Sequence, residues 1–68
     1  MPYYYVNRNT QDDGYHEVHE KGCTQGADLK NQDDVGWHSS CYGAVTQAKK
    51  SYTYVDGCAY CCEACHTR

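Results

Sequence analysis

The chain has 68 residues, a formal net charge of −3 and six cysteines. This length leaves room for one domain, so we expect a single small Cys/His-rich domain over residues 1–68 and no large enzyme with a deep core of its own. The sequence contains one Leu, five Val and no Ile or Phe, whereas Tyr occurs eight times and Trp once. Domains this small usually need disulfides or a metal to be stable. We therefore expect the six cysteines to supply a staple, that is, a disulfide or a bound metal that cross-links the chain and stabilises the fold.

The first half of the chain predicts an antiparallel β-hairpin. Tyr3–Asn7 is aromatic and β-branched, which favours a strand. Residues 9–14 end in Gly14 and predict a turn, and residues 15–19 alternate as a second strand, with Tyr15, Glu17 and His19 on one face. Residues 20–34 are polar and predict a long loop, and residues 35–38 predict a short third strand.

The second half predicts one helix and a cysteine knuckle. Ser39 or Ser40 is the expected N-cap, and apolar residues at positions 41, 44, 45, 48 and 52 form one face of a helix of about three turns. Asp56 and Gly57 predict a turn, and residues 58–66 a knuckle with a short helix. The predicted class is α+β: a β-hairpin or three-stranded antiparallel sheet, one helix and a C-terminal cysteine knuckle.

The cysteines and histidines have metal-ligand spacing. Residues 58–65 hold two C-x-x-C pairs back to back, and His19 and Cys23 form an H-x3-C pair at the end of the second predicted strand. Two such pairs make a closed Cys3His site, which suits a structural Zn²⁺. Either C-x-x-C pair fits this spacing, so His19 and Cys23 could be joined by Cys58 and Cys61 or by Cys62 and Cys65, and His66 is a further alternate.

The order of these elements resembles the zinc-binding module of the Ada DNA-repair protein and the small domains that share it. The resemblance implies the metal ligands His19, Cys23, Cys58 and Cys61, but not the repair chemistry, because His19 stands where that module has a methyl-accepting thiolate. The chain also resembles short uncharacterised bacterial proteins, some of them carried in integron gene cassettes, which end like residues 57–67. The residues that match the Ada module are Tyr5, Val6, Val18, His19, Cys23, Trp37, Ser39, Ala44, Ala48, Gly57, Cys58 and Cys61.

Other interpretations of the same residues remain open. Cys62, Cys65 and His66 form C-x-x-C-H, the attachment motif of c-type haem, although the usual export signal is missing. Cys41 lies on the apolar helix face and is expected to be a buried thiol, with a disulfide to Cys62 or Cys65 as the next interpretation. A thioredoxin-like role would need a βαβ context, and a disulfide framework would need an oxidising compartment.

Charge and composition guide the expected location and partners. The N-terminus has no secretory pattern and no window is apolar enough for a membrane span, so we expect a cytoplasmic protein with reduced thiols and no membrane partner. Only Lys49 and Lys50 are adjacent basic residues, which argues against nucleic acid as a partner.

These observations favour a binding or interaction module over an enzyme. We expect its Tyr-rich surface to bind another protein or a second copy of the same chain. The alternatives are a nucleic-acid-binding module by analogy with Ada, and a disulfide-stabilised, thiol-redox or metal-handling protein.

Overall fold

A computed structural model describes residues 3–67, so Met1, Pro2 and Arg68 of the predicted domain lie outside the described residues. Within residues 3–67 the chain forms four strands, one α-helix and two short 3₁₀ turns, which confirms the α+β class. No helix in this range is both long enough and apolar enough to cross a membrane. The strands are β1 (Tyr3–Asn7), β2 (His16–Glu20), β3 (Gln32–Trp37) and β4 (Val55–Gly57), the helix is α1 (Cys41–Ala48), and the 3₁₀ turns are Leu29–Asn31 and Glu63–Cys65.

The strands form one mixed sheet in the order β3-β1-β2-β4. β1 is antiparallel to both β2 and β3, so the predicted hairpin and third strand are confirmed. The predicted turn at Asp56 and Gly57 is wrong, because both residues belong to β4, which lies parallel to β2. A parallel strand needs a long crossover, and α1 lies within that connection. The sheet therefore has four strands and is mixed, where a β-hairpin or a three-stranded antiparallel sheet was predicted.

The third strand begins earlier than its sequence suggests. Residues 32–34 were expected to end the polar loop, but they pair with β1 as the first half of β3. β3 is an edge strand, so its backbone pairs on one side only and its polar side chains stay near solvent. The register skips Val35, which makes a bulge, and Gly36 follows with a φ of 83° that favours glycine.

The core lies between the sheet and α1. Tyr4, Val6 and Val18 project from β1 and β2 and are buried in one cluster with Ala44 and Ala48 of the helix. The helix has 8 residues rather than three full turns. Ser40 occupies the predicted N-cap position, although its side chain makes no capping hydrogen bond.

A disulfide joins Cys41 at the start of α1 to Cys65 in the last 3₁₀ turn, across a Cα–Cα distance of 6.3 Å. The expectation of a buried Cys41 thiol is therefore wrong, and the second interpretation, a disulfide with Cys65, is the observed one. The bond fastens the C-terminal segment to the helix side of the sheet. Cys23, Cys58, Cys61 and Cys62 remain thiols.

Candidate metal centre

The parallel pairing of β2 and β4 brings the two predicted ligand pairs together. His19 lies near the end of β2, and Cys58 directly follows β4. The Cys58 N–H donates to the Val18 carbonyl oxygen at 2.9 Å, which places Cys58 beside His19. A turn after β2 then positions Cys23, whose N–H donates to the Glu20 carbonyl oxygen at 3.1 Å.

One ligand atom from each of His19, Cys23, Cys58 and Cys61 lies within 4.8 Å of every other. His19 and Cys58 are buried, while Cys23 and Cys61 are half-buried. Around one zinc ion, tetrahedral sulfur and nitrogen ligands would be about 3.5–3.8 Å apart, given the usual bond lengths. The His19 Nδ1 atom lies 3.9 Å from the Cys61 Sγ atom, close to this spacing. The cluster could therefore hold one metal ion after only small side-chain movements.

Backbone amides point at two of the sulfurs. The Glu20 N–H donates to the Cys61 Sγ at 3.2 Å, and the Tyr60 N–H donates to the Cys58 Sγ at 3.4 Å. The turn is closed by the Cys62 N–H, which donates to the Cys58 carbonyl oxygen at 2.9 Å. Donors of this kind stabilise a thiolate, the form of cysteine that binds metals.

Burial sets the protonation preferences of the cluster. It lowers the pKa of His19, which favours the neutral imidazole that a metal requires. It also raises the pKa of the Cys61 thiol, and the nearby Cys23, Cys62 and Cys58 raise that pKa further. Adjacent buried thiols become thiolates readily only beside a cation, so a divalent ion is the natural complement of this group.

The alternate ligands do not belong to the group of four clustered residues. Cys62 is buried with its Sγ 3.9 Å from the Cys61 Sγ, but it is not one of the four clustered residues. Cys65 is bonded to Cys41, so the C-x-x-C-H motif lacks one of the two thiols that haem attachment uses. His66 lies with its Nδ1 3.0 Å from the Gly57 carbonyl oxygen. The structure thus brings together His19, Cys23, Cys58 and Cys61, and none of the alternates.

The other two histidines have structural neighbours. The His16 Nδ1 lies 2.9 Å from the Asn7 carbonyl oxygen, and the His16 ring packs against Tyr52 with the centroids 4.2 Å apart. The His38 Nε2 lies 2.8 Å from the Val35 carbonyl oxygen. Both rings therefore have hydrogen-bond neighbours in the sheet region, and neither residue is among the four clustered ligands.

Tyr5 and Glu17 border the cluster and were not predicted as part of it. Tyr5 is opposite His19 in the β1–β2 register, and their ring centroids are 5.4 Å apart. The Tyr5 hydroxyl accepts a hydrogen bond from the Ala27 N–H at 3.0 Å, which holds the loop after β2 against this face of the sheet. The alternation of residues 15–19 was the available signal, because it places Glu17 on the same face as His19.

No protein-family model, no curated protein and no solved structure matches the chain. The resemblances to the Ada module and to the cassette proteins therefore stay predictions from short motifs. The proposed function therefore rests on the geometry of the four clustered residues.

Proposed function

We propose that His19, Cys23, Cys58 and Cys61 bind one Zn²⁺ in a closed structural site, and that the domain is a binding module rather than an enzyme. One observation carries the zinc assignment: four soft or borderline ligand atoms from opposite ends of the chain lie within 4.8 Å of one another. Three thiolates and an imidazole in tetrahedral geometry suit zinc among the common metals. With four protein ligands, no position remains for water or substrate, so the ion would hold the fold together rather than catalyse a reaction.

The zinc proposal is tested by native mass spectrometry and elemental analysis of the purified protein. We expect one zinc per chain, and Co²⁺ substitution should give the absorption of a tetrahedral thiolate site. Cys58→Ser should abolish binding, whereas Cys62→Ser is the matched control because Cys62 neighbours the site without belonging to it. Equal metal content in the two variants would refute the ligand assignment.

The interaction role rests on the exposed aromatic side chains. Trp37 is 44% exposed and Tyr3 is 52% exposed, and the two residues are opposite each other in the β1–β3 register. Exposed neighbouring aromatics on so small a domain are typical of an interface. β3 is an edge strand, but its bulge and its two aspartates disfavour strand-to-strand pairing. Contact through the aromatic side chains is therefore the proposed mode. Other large apolar side chains are also exposed: Leu29, Tyr42, Tyr54 and Tyr60.

A second copy of the chain is the first partner to test. Sedimentation velocity over a wide concentration range should show reversible association, and Trp37→Ser should weaken it relative to Tyr60→Ser, which removes an exposed aromatic residue elsewhere in the chain. A chain that stays monomeric throughout would refute self-association. Salt-dependent binding to an oligonucleotide would instead support the nucleic-acid alternative.

The Cys41–Cys65 bond supports a related statement about stability. The chain carries a disulfide beside its thiol cluster, so we propose that disulfide and metal act together as staples. The metal site would fasten β2 to the segment after β4, and the disulfide fastens the same C-terminal segment to α1.

A further inference from the structure

The two ring nitrogens of His19 face different neighbours. Nδ1 is directed to the thiol cluster, 3.9 Å from the Cys61 Sγ. Nε2 is directed away from the cluster and lies 3.6 Å from the Glu17 Oε1. The ring is 1% exposed, and the Glu17 side chain is 17% exposed. A carboxylate therefore lies on the far side of the one imidazole among the proposed ligands.

We propose that Glu17 is a positioning residue for the metal centre: its carboxylate accepts the Nε2–H of His19 and so directs the Nδ1 lone pair to the ion. This inference rests on the proposed zinc site. Metal-binding histidines commonly donate their second ring N–H to an acceptor, which fixes the tautomer and makes the ligand nitrogen more basic. Neutral imidazole carries one N–H and one lone pair, so a proton held at Nε2 leaves Nδ1 to bind the metal.

The strand geometry supports this role. Residues two apart on a strand project from the same face, so Glu17 and His19 lie next to each other on one face of β2. The Tyr5 ring packs on His19 at an interplanar angle of 32° and restricts its rotation. The distance of 3.6 Å is longer than a hydrogen bond, so the proposed role requires a rotation of the partly buried Glu17 side chain that brings its carboxylate closer to Nε2.

His66 and Asp56 of β4 also act electrostatically on Glu17. The His66 Nδ1 already lies 3.4 Å from the Asp56 Oδ2 and 3.0 Å from the Gly57 carbonyl oxygen. A competing role for Glu17 would therefore be to fasten the C-terminal segment through His66, and the experiment must separate the two roles.

The test compares zinc affinities of the full chain, measured by competition with a chromophoric chelator. Glu17→Ala should weaken zinc binding by roughly 10–100-fold, the usual effect of losing such a partner. Glu17→Gln should weaken zinc binding less than Glu17→Ala, because the amide oxygen of Gln still accepts a hydrogen bond. Glu63→Ala removes an exposed carboxylate of the last 3₁₀ turn and is the matched control. His66→Gln should leave affinity unchanged if Glu17 acts through His19.

A second measurement needs no variant. Long-range ¹H–¹⁵N correlation spectra of the zinc-loaded wild-type protein should show His19 protonated at Nε2 and metal-bound at Nδ1. Coordination through Nε2, or a Glu17→Ala affinity equal to that of Glu63→Ala, would overturn the positioning role while leaving the zinc site intact. A wild-type protein that binds no zinc would overturn the zinc site and this inference together.

Discussion

The two proposed staples should differ in how much stability each provides. The perturbations are removal of zinc by a chelator with the disulfide intact, and removal of the disulfide in a Cys41→Ala/Cys65→Ala double variant with zinc bound. Because the disulfide and the proposed metal site use different cysteines, each change leaves the other staple in place. The free energy of stabilisation that each staple contributes can be estimated.

The two magnitudes are well separated. The disulfide closes a loop with a sequence separation of 24, for which chain entropy gives about 3.5 kcal/mol. Structural zinc sites contribute about 10–16 kcal/mol in peptides, whereas a domain of this length has roughly 3–10 kcal/mol in total. Loss of the disulfide should therefore lower the Tm of the zinc-bound domain by roughly 15–30 °C. Loss of zinc should unfold it.

Circular dichroism melts and small-angle scattering measure both outcomes. The Cα radius of gyration of the folded chain is 10.2 Å, and an unfolded chain of this length would measure about 25 Å, somewhat less with the disulfide intact. The chelated protein should expand toward the larger value and return on addition of zinc. A chelated protein that stays compact with an unchanged Tm would refute the argument that the metal is the dominant staple.

Three further predictions test other parts of the fold. Cys62→Ala should keep one zinc per chain by elemental analysis and lose only about 1 kcal/mol in denaturant melts, because it removes one buried sulfur beside the site; loss of the metal would place Cys62 in the ligand set. Tyr5→Phe should cost about 1–2 kcal/mol in urea unfolding and accelerate hydrogen exchange at Ala27, whose N–H loses its acceptor; unchanged exchange would show that other contacts hold the loop. Gly57→Ala should destabilise by about 1–3 kcal/mol, since its new Cβ would lie 2.7 Å from the Cys65 Cβ; an unchanged Tm would mean that the last 3₁₀ turn shifts freely.

Much of the candidate metal centre was predictable because ligand spacing is a local property. His19 and Cys23 are four residues apart, and Cys58 and Cys61 are three apart, so each pair can serve one ion wherever the chain places it. The alternation of β2 likewise predicted which residues share a face with His19. The α+β class followed from two strand-like segments before one amphipathic segment.

The choice between the two C-x-x-C pairs was not local. The spacing of Cys62 and Cys65 is identical to that of Cys58 and Cys61. The position of β4 decided it: because β4 continues into Cys58 beside β2, the first pair reaches His19, and the last 3₁₀ turn carries Cys65 to Cys41 instead. β4 has only three residues, and its Asp-Gly pair is typical of a turn, so the sequence did not predict that this segment pairs with β2.

The amino-acid sequence by itself determined that a small, Tyr-rich chain with little aliphatic side-chain volume would depend on its cysteines, and which residues could form ligand pairs. Only the tertiary structure decided that a disulfide and a thiol cluster coexist, and which cysteines belong to each. The physical reason is that sulfur chemistry depends on distances between residues far apart in the chain. Those distances are set by strand order and helix packing rather than by residue spacing.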